Sequence, residues 1–396
     1  MKASNGSMRL LFMATVVLFG SILQTGLAAD GWPVSTPAAE GVDADALSRL
    51  DAELTAGKHG YVDGLLIIRH GKVIFDQRYP HDYARLNPAP DAPPGPYNYY
   101  DSEWYPWYFG NRDLHTMQSV SKSVLAVLYG VALQQGLLPP LDTPALALLK
   151  GRSIADPDGR KAHITLADLL TMRSGLSWNE DDYPYTDPRN DCATMEASED
   201  WVEFVLDKPM ATDAGSAFVY SSGVTMVLAE ILEQLTGRKL ADYAGEELFR
   251  PLGINQHYWK LTPSGLADAE GGLYLAPGDI AKIARLYLDG GRWNRRQVVP
   301  EDWVRDSVVP ATVSTYPGQD VYGQLGYGYQ WWVYTDYLGQ SAWGADGYGG
   351  QFPVVVPGLD LIVVFTGWNI YGPATNPLTL LRDRIIPAVQ ELRQAR

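Results

Sequence analysis

Strand-forming sequence lies near the two ends of this 396-residue chain, and helix-forming sequence fills the space between them. Near the front, Gly64-Leu-Leu-Ile-Ile-Arg69, His70-Gly71-Lys72 and Val73-Ile-Phe75 predict a hairpin with its turn at Gly71. Near the back, Gly328 to Tyr334 predicts one strand. Gly350 to Val356 and Leu361 to Thr366 predict two more, joined through the turn Pro357-Gly358-Leu359-Asp360. Short turns join antiparallel neighbours, whereas parallel strands need long crossovers. The expected fold class is therefore α+β: one antiparallel sheet built from both chain ends and flanked by helices, with an inserted, mostly helical lobe.

The helices carry their own signals. Asp43 to Leu54 places Leu47, Leu50 and Leu54 on one stripe. Ser119 to Gln135 is apolar on most faces and ends at Gly136, so it is expected to be buried. Thr165-Leu-Ala-Asp168 is a capping box opening a helix expected to run to Gly175. Ser222 to Thr236 closes at Gly237, Leu240 to Phe249 follows, and Pro277 to Asp289 ends at Gly290-Gly291. Pro377 to Arg393 predicts a last helix. The sheet lobe is thus expected over about 40–80 and 325–396, and the helical lobe over about 115–310. Residues 80–110 form a loop dense in proline and aromatic residues; a loop this long is either functional or disordered.

Composition narrows the function. Hydrophobic residues make up 46% and charged residues 19%, which excludes general disorder. A net charge of −15 argues against a nucleic-acid or anionic-membrane partner. A single cysteine, Cys192, excludes an internal disulfide and a cysteine-rich metal cluster. Lys2 and Arg9, the apolar run Leu10 to Phe19 and the small residues before Asp30 predict a secretory signal peptide over 1–29, hence an exported, periplasmic or secreted protein. An uncleaved N-terminal anchor is the alternative. Cleavage removes two basic and no acidic residues and leaves −17.

The familiar catalytic signatures are mostly missing. No Gly-x-Ser-x-Gly, no His-Glu-x-x-His and no phosphate-binding glycine loop occurs, and the six histidines are scattered. No metal and no cofactor is expected. What is present is Ser119-Val-Ser-Lys122 at the mouth of the buried helix. A serine hydroxyl needs a base to become a nucleophile. Lysine at i+3 lies on the same helix face, and the helix N-terminus and burial both disfavour its ammonium form. Ser119 is the one serine followed by lysine at that spacing, but chance alone supplies about half an occurrence. An ordinary helix start with Ser119 as cap and Lys122 solvated reads equally well in isolation.

Two further segments complete the set. Phe218-Val-Tyr220-Ser221-Ser222-Gly223 precedes a helix, and Tyr220 would act as base if a nearby lysine cation lowers its pKa; otherwise it is a core tyrosine. Trp343-Gly-Ala-Asp346-Gly347-Tyr348-Gly-Gly-Gln351 leads toward a strand, where glycines admit a close-lying substrate or simply make a turn.

Together and in this order the three segments resemble the serine β-lactamase and penicillin-binding-protein superfamily, above all the class C-related esterases and 6-aminohexanoate-dimer hydrolases. Connecting text is similar too: Leu169-Leu-Thr-Met-Arg-Ser-Gly-Leu176, Arg250-Pro-Leu-Gly-Ile254 and Gly349-Gly-Gln-Phe-Pro-Val-Val-Val-Pro357. The resemblance implies a β-lactamase/transpeptidase-like fold over about Gly64 to the C-terminus. It implies Ser119 as acylated nucleophile, Lys122 as its partner and Tyr220 as general base. The backbone N–H groups of Ser119 and Tyr348 would form the oxyanion hole, and Ser222, Asp346 and Gly347 would meet substrate. Two departures stand out. Ser222 occupies the usual asparagine place, and Ala345-Asp346-Gly347 stands where Lys-Thr-Gly would be. The cation for a β-lactam or peptide carboxylate is absent. A small neutral or cationic ester or amide is thus the expected partner. The alternatives are β-lactamase or D,D-peptidase activity, or a non-catalytic binding protein on the same fold.

Overall fold

The computed structural model describes residues 31–79, 81–86, 114–156, 158–313, 315, 324–337, 340–370 and 372–389. The expected signal peptide, most of the expected aromatic loop 80–110 and residues 390–393 of the expected C-terminal helix lie outside the described residues.

Helix α1 (Ala44–Thr55) starts where the Asp43 side chain accepts from the N–H groups of Asp45 and Ala46, and it buries Leu47, Leu50 and Leu54. Strands β1 (Val62–Arg69) and β2 (Lys72–Arg78) form the expected hairpin. Its two turn residues, His70 and Gly71, have φ of 51° and 71°, the left-handed pair that a two-residue hairpin loop needs. After a short helix α2 (Tyr83–Leu86) come β3 (His115–Thr116) and α3 (Val120–Gln134). The helical lobe continues with α4 (Leu166–Leu170), α5 (Asp191–Glu196), α6 (Trp201–Leu206), α7 (Ser222–Thr236) and α8 (Leu240–Ala244). Strands β4 (Tyr258–Trp259) and β5 (Leu273–Leu275) lead to α9 (Pro277–Leu288), the small hairpin β6 (Arg292–Trp293) and β7 (Arg296–Gln297), and α10 (Glu301–Ser307). The chain then returns to the sheet through β8 (Thr312–Val313), β9 (Gln324–Tyr327), β10 (Trp332–Tyr337), β11 (Gln340–Gly344), β12 (Phe352–Val356) and β13 (Leu361–Gly367), before α11 (Pro377–Leu380).

The main sheet is eight-stranded, in the order β2-β1-β13-β12-β11-β10-β9-β8, with antiparallel neighbours throughout. The first strand thus lies beside the last, as the two blocks of strand sequence required. All eight residues of β1 are buried. Leu66 and Ile68 face the helical lobe, in one core with Val124, Val127 and Ile283. Leu65 and Ile67 face the other way, in a second core with Leu47, Leu50, Ile385 and Val389. A strand covered on both faces reads as a continuous apolar run, which Gly64 to Arg69 does.

Two expectations give way. Gly328 to Tyr334 is not one strand: β9 ends at Tyr327, and residues 328–331 turn before β10. Gln330 holds that turn in the left-handed region, with φ of 58°. The helix opened by the Thr165–Asp168 capping box stops at Leu170 instead of reaching Gly175. One residue accounts for both. The Gln330 side-chain amide donates to the carbonyls of Leu169 (3.2 Å) and Leu170 (3.0 Å), satisfying the helix end, and its oxygen accepts from Thr225 (2.9 Å). The Gln330 carbonyl also accepts from Ser123 (2.6 Å). A turn from the sheet lobe therefore pins α3, α4 and α7.

Gln330→Leu should strand the buried Thr225 hydroxyl, remove the side-chain bonds to the end of α4 and cost about 2 kcal/mol. Guanidinium unfolding should show a lower midpoint with an unchanged slope.

Candidate active site

The segment before α3 is held in an uncommon backbone shape. The Met117 N–H donates to the Leu273 carbonyl at 2.8 Å, and Gln118 follows with φ of 48°. The chain then enters α3 at Ser119, which remains partly exposed while the helix behind it is buried on nearly every face. Lys122, one turn on, is 1% exposed, and its Nζ lies 2.8 Å from Ser119 Oγ.

The remaining Lys122 donors go to Glu270, to its carbonyl at 2.8 Å and its carboxylate at 3.3 Å. Burial presses the lysine toward the neutral form, but the Glu270 and Glu180 carboxylates outweigh it, and the pKa ends above the ordinary lysine value. This reverses the expectation that burial and the helix N-terminus would leave Lys122 neutral. The two glutamates that decide the matter were missed in the sequence.

Tyr220 sits just before α7, close enough to Ser119 for that hydroxyl to act on its phenol. Its ring stacks on Trp332 (5.7 Å between centroids, 16° between planes), and Lys122 Nζ lies 5.3 Å from the ring centre. Burial, then the Glu180 charge, push its pKa well above the ordinary value, while the Ser119 hydroxyl works the other way. The lowering expected from a nearby lysine does not win.

Ser222 departs from its expected role at the substrate. It is fully buried; its N–H and hydroxyl donate to Glu180 at 2.7 and 2.6 Å. Trp178 Nε1 (2.8 Å) and the Tyr185 hydroxyl (3.0 Å) donate to the same carboxylate. Four donors converge on Glu180, although burial raises its pKa. The serine in the asparagine place therefore orients a glutamate.

The third segment starts at the end of β11 and continues as a turn into β12, so Tyr348, expected on a strand, lies in that turn, 38% exposed. Gly347 is needed for close approach: a Cβ there would sit 2.5 Å from the Met117 carbonyl. This contact carries the turn to the Ser119 end of α3. Asp346 is partly buried and accepts no hydrogen bond from the described residues, and burial pushes its pKa up to about 7. Its charge is felt at Tyr220. A cavity of about 270 Å³ opens beside Tyr220, and among the described residues its charged lining is acidic: Glu180, Asp181 and Asp182.

Cys192, Glu196 and Glu270 form one buried group with metal-ligand spacing among the described residues. Glu270 there already pairs with the Lys122 ammonium, and burial holds the Cys192 thiol far above its ordinary pKa, so the group suits protons better than a metal ion. Neither glutamate was legible. Glu180 lies in a stretch without periodicity. The signal for Glu270 is faint: an isolated acid within the otherwise apolar, glycine-rich Ala269 to Leu273.

The beta-lactamase family profile matches residues 49–370, and the chain belongs to that family of hydrolases. A 6-aminohexanoate-dimer hydrolase from Paenarthrobacter ureafaciens is 26% identical over 247 residues, which span 58% of this chain and 60% of that protein. Penicillin-binding protein 4 from Amycolatopsis lactamdurans is 26% identical over 283 residues, 62% of this chain and 69% of that one. Among solved structures, EstCE1, a hydrolase with promiscuous acyltransferase activity, superposes with a TM-score of 0.64 at 16% identity, covering 88% of this chain and 97% of its own. It shares the β-lactamase-like α+β fold.

Glu270→Gln removes a charge that favours the Lys122 ammonium. With Ser119 read as a nucleophile, the pH at which it becomes reactive should therefore fall. Labelling by a fluorophosphonate, followed from acid to alkaline pH, should show its rising limb displaced to lower pH in the variant.

Proposed function

We propose that the protein is a serine hydrolase that cleaves a small ester or amide bond through an acyl-enzyme on Ser119. The observation that carries this reading is the Ser119 hydroxyl 2.8 Å from Lys122 Nζ, with the Tyr220 ring centre 5.3 Å from the same nitrogen. At rest Lys122 is an ammonium and Tyr220 a neutral phenol, so the pair must first lose one proton. In that state Tyr220 oxygen accepts the Ser119 proton as Oγ attacks the carbonyl carbon, and the adjacent ammonium stabilises the charge on the phenol. The proton then passes to the leaving amine or alcohol as the scissile bond breaks. In deacylation a water molecule gives its proton to the same pair, its oxygen attacks the ester carbon, and Ser119 Oγ leaves as the hydroxyl. The N–H groups of Ser119 and Tyr348 are the proposed oxyanion donors.

Charge points to the substrate class. Ala345-Asp346-Gly347 offers no cation, and the cavity beside Tyr220 is acidic. Neutral or ammonium-bearing esters and amides fit this field; a carboxylate close to the scissile bond does not. The name of the Paenarthrobacter relative, a 6-aminohexanoate-dimer hydrolase, supports a small amide.

Ser119→Ala should keep its fold by circular dichroism and lose both fluorophosphonate labelling and turnover of p-nitrophenyl esters. Retention of more than a few per cent of the wild-type rate would sink the assignment. Native wild-type protein that resists labelling would point to a binding protein instead, and turnover of nitrocefin ahead of simple esters and amides would favour the β-lactamase alternative.

Asp346 should make substrate choice depend on pH. Its carboxyl is ionised above its raised pKa of about 7 and neutral below it. Discrimination against a substrate carboxylate should be complete at alkaline pH, at about tenfold in kcat/KM, and fade as the pH falls through that value. Matched substrate pairs assayed from about pH 8.5 to about pH 5.5 test this, and Asp346→Asn should flatten the trend.

A further inference from the structure

We propose that Asp63 and His115 are positioning residues for Ser119, their buried hydrogen bond clamping the segment that delivers the serine to the central sheet. The proposal rests on the reading of Ser119 as the nucleophile.

Asp63 lies where the register between β1 and β13 shifts, between Val62 and Gly64. Such irregularities re-aim a side chain. The Asp63 carboxylate is completely buried and accepts three side-chain hydrogen bonds. Tyr83 and His81 donate to one oxygen at 2.7 and 2.9 Å, and His115 Nε2 donates to the other at 2.9 Å. His115 is also completely buried, and its Nδ1 lies 2.9 Å from the Thr116 carbonyl. The His115 ring thus bridges the Asp63 carboxylate and the Thr116 carbonyl inside the protein. Hydrogen bonds from His115 and His81 hold the Asp63 pKa below the ordinary value despite burial.

A carboxylate buried out of water is a costly way to gain stability, so the placement of its partners matters more than their strength. His115 stands four residues before Ser119. Between them Thr116 pairs with Tyr274, Met117 is bonded to Leu273, and Gln118 takes the left-handed conformation. A residue with a Cβ is strained in that conformation, which persists only where its surroundings over-determine it. The Gln118 side chain helps by donating to Thr116 Oγ1 at 3.2 Å. On its other flank the segment meets Gly347, which continues from β11 of the same sheet. Two tethers therefore run from one sheet to this segment. Gly347 sets how closely it approaches the third motif; Asp63–His115 sets where it lies along β1.

The test is the rate at which a fluorophosphonate labels Ser119, measured with kcat and KM well below each variant's melting temperature. Asp63→Asn should slow labelling and lower kcat by about tenfold or more, with KM within about threefold of wild type, because the reacting atom is misplaced while the binding cleft is retained. His115→Gln keeps an N–H for Asp63 on a more flexible side chain; an intermediate loss is expected, and it carries the test if Asp63→Asn does not fold. Tyr83→Phe removes a different donor from Asp63 and leaves His115 in place. It should lower the melting temperature yet keep the labelling rate within about twofold. If Asp63→Asn or His115→Gln melts earlier but labels at the wild-type rate, the pair serves stability alone and the proposal fails. It fails equally if Tyr83→Phe slows labelling as much as they do. If the wild type itself does not label at Ser119, the nucleophile reading falls instead, which is a different result.

Discussion

A lysine ammonium buried to 1% exposure governs this site. A charge taken out of water must be matched by opposite charge and hydrogen bonds. Glu270 and Glu180 supply the opposite charge to Lys122. Glu180 then requires its own donors, and Ser222, Trp178 and Tyr185 provide them. Two carboxylates around one cation leave an excess of negative field, and the neighbouring groups respond by keeping protons. The Tyr220 phenol and the Cys192 thiol are both driven well above their ordinary pKa values, by burial first and these carboxylates next. Asp268 is pushed up to about 7 by burial and by Glu270. The protonation state of the centre thus follows from one ammonium and its two counter-charges.

The fold was legible because its signals are local and repeated. Asp43 caps a helix, the Thr165–Asp168 box opens another, Gly237 closes a third, and the strand blocks at both chain ends can satisfy one another only in a single sheet. What escaped the sequence depends on distant partners. Gln330 looks like one more polar residue within a strand of aromatic residues until Leu169, Leu170 and Thr225 arrive to bond it.

The site divides in the same way. Ser119, Lys122, Tyr220 and Gly347 stand out by spacing and residue type, and folding brings them to one end of α3. Their electrostatics were misjudged, because a helix position and a burial argument carry no information about carboxylates 58 and 148 residues away along the chain. Ser222 was misjudged for a related reason: its place in the motif was readable, but which way its hydroxyl points depends on Glu180.

The adjacency of the first and last strands has a temporal side. Ile68 pairs with Ile362, so β1 has no permanent neighbour on that edge until the C-terminal part of the chain has been made. The helical lobe is built from nearer contacts and can condense earlier, whereas the sheet closes by a long-range pairing of the kind that slows folding. Until then β1, apolar on both faces, presents an open edge to any other strand. Asp63, Gly347 and Ser119 share no fixed geometry before that closure. The site is therefore a late product of folding: its parts, set down far apart along the chain, take their mutual positions only when the last strand docks.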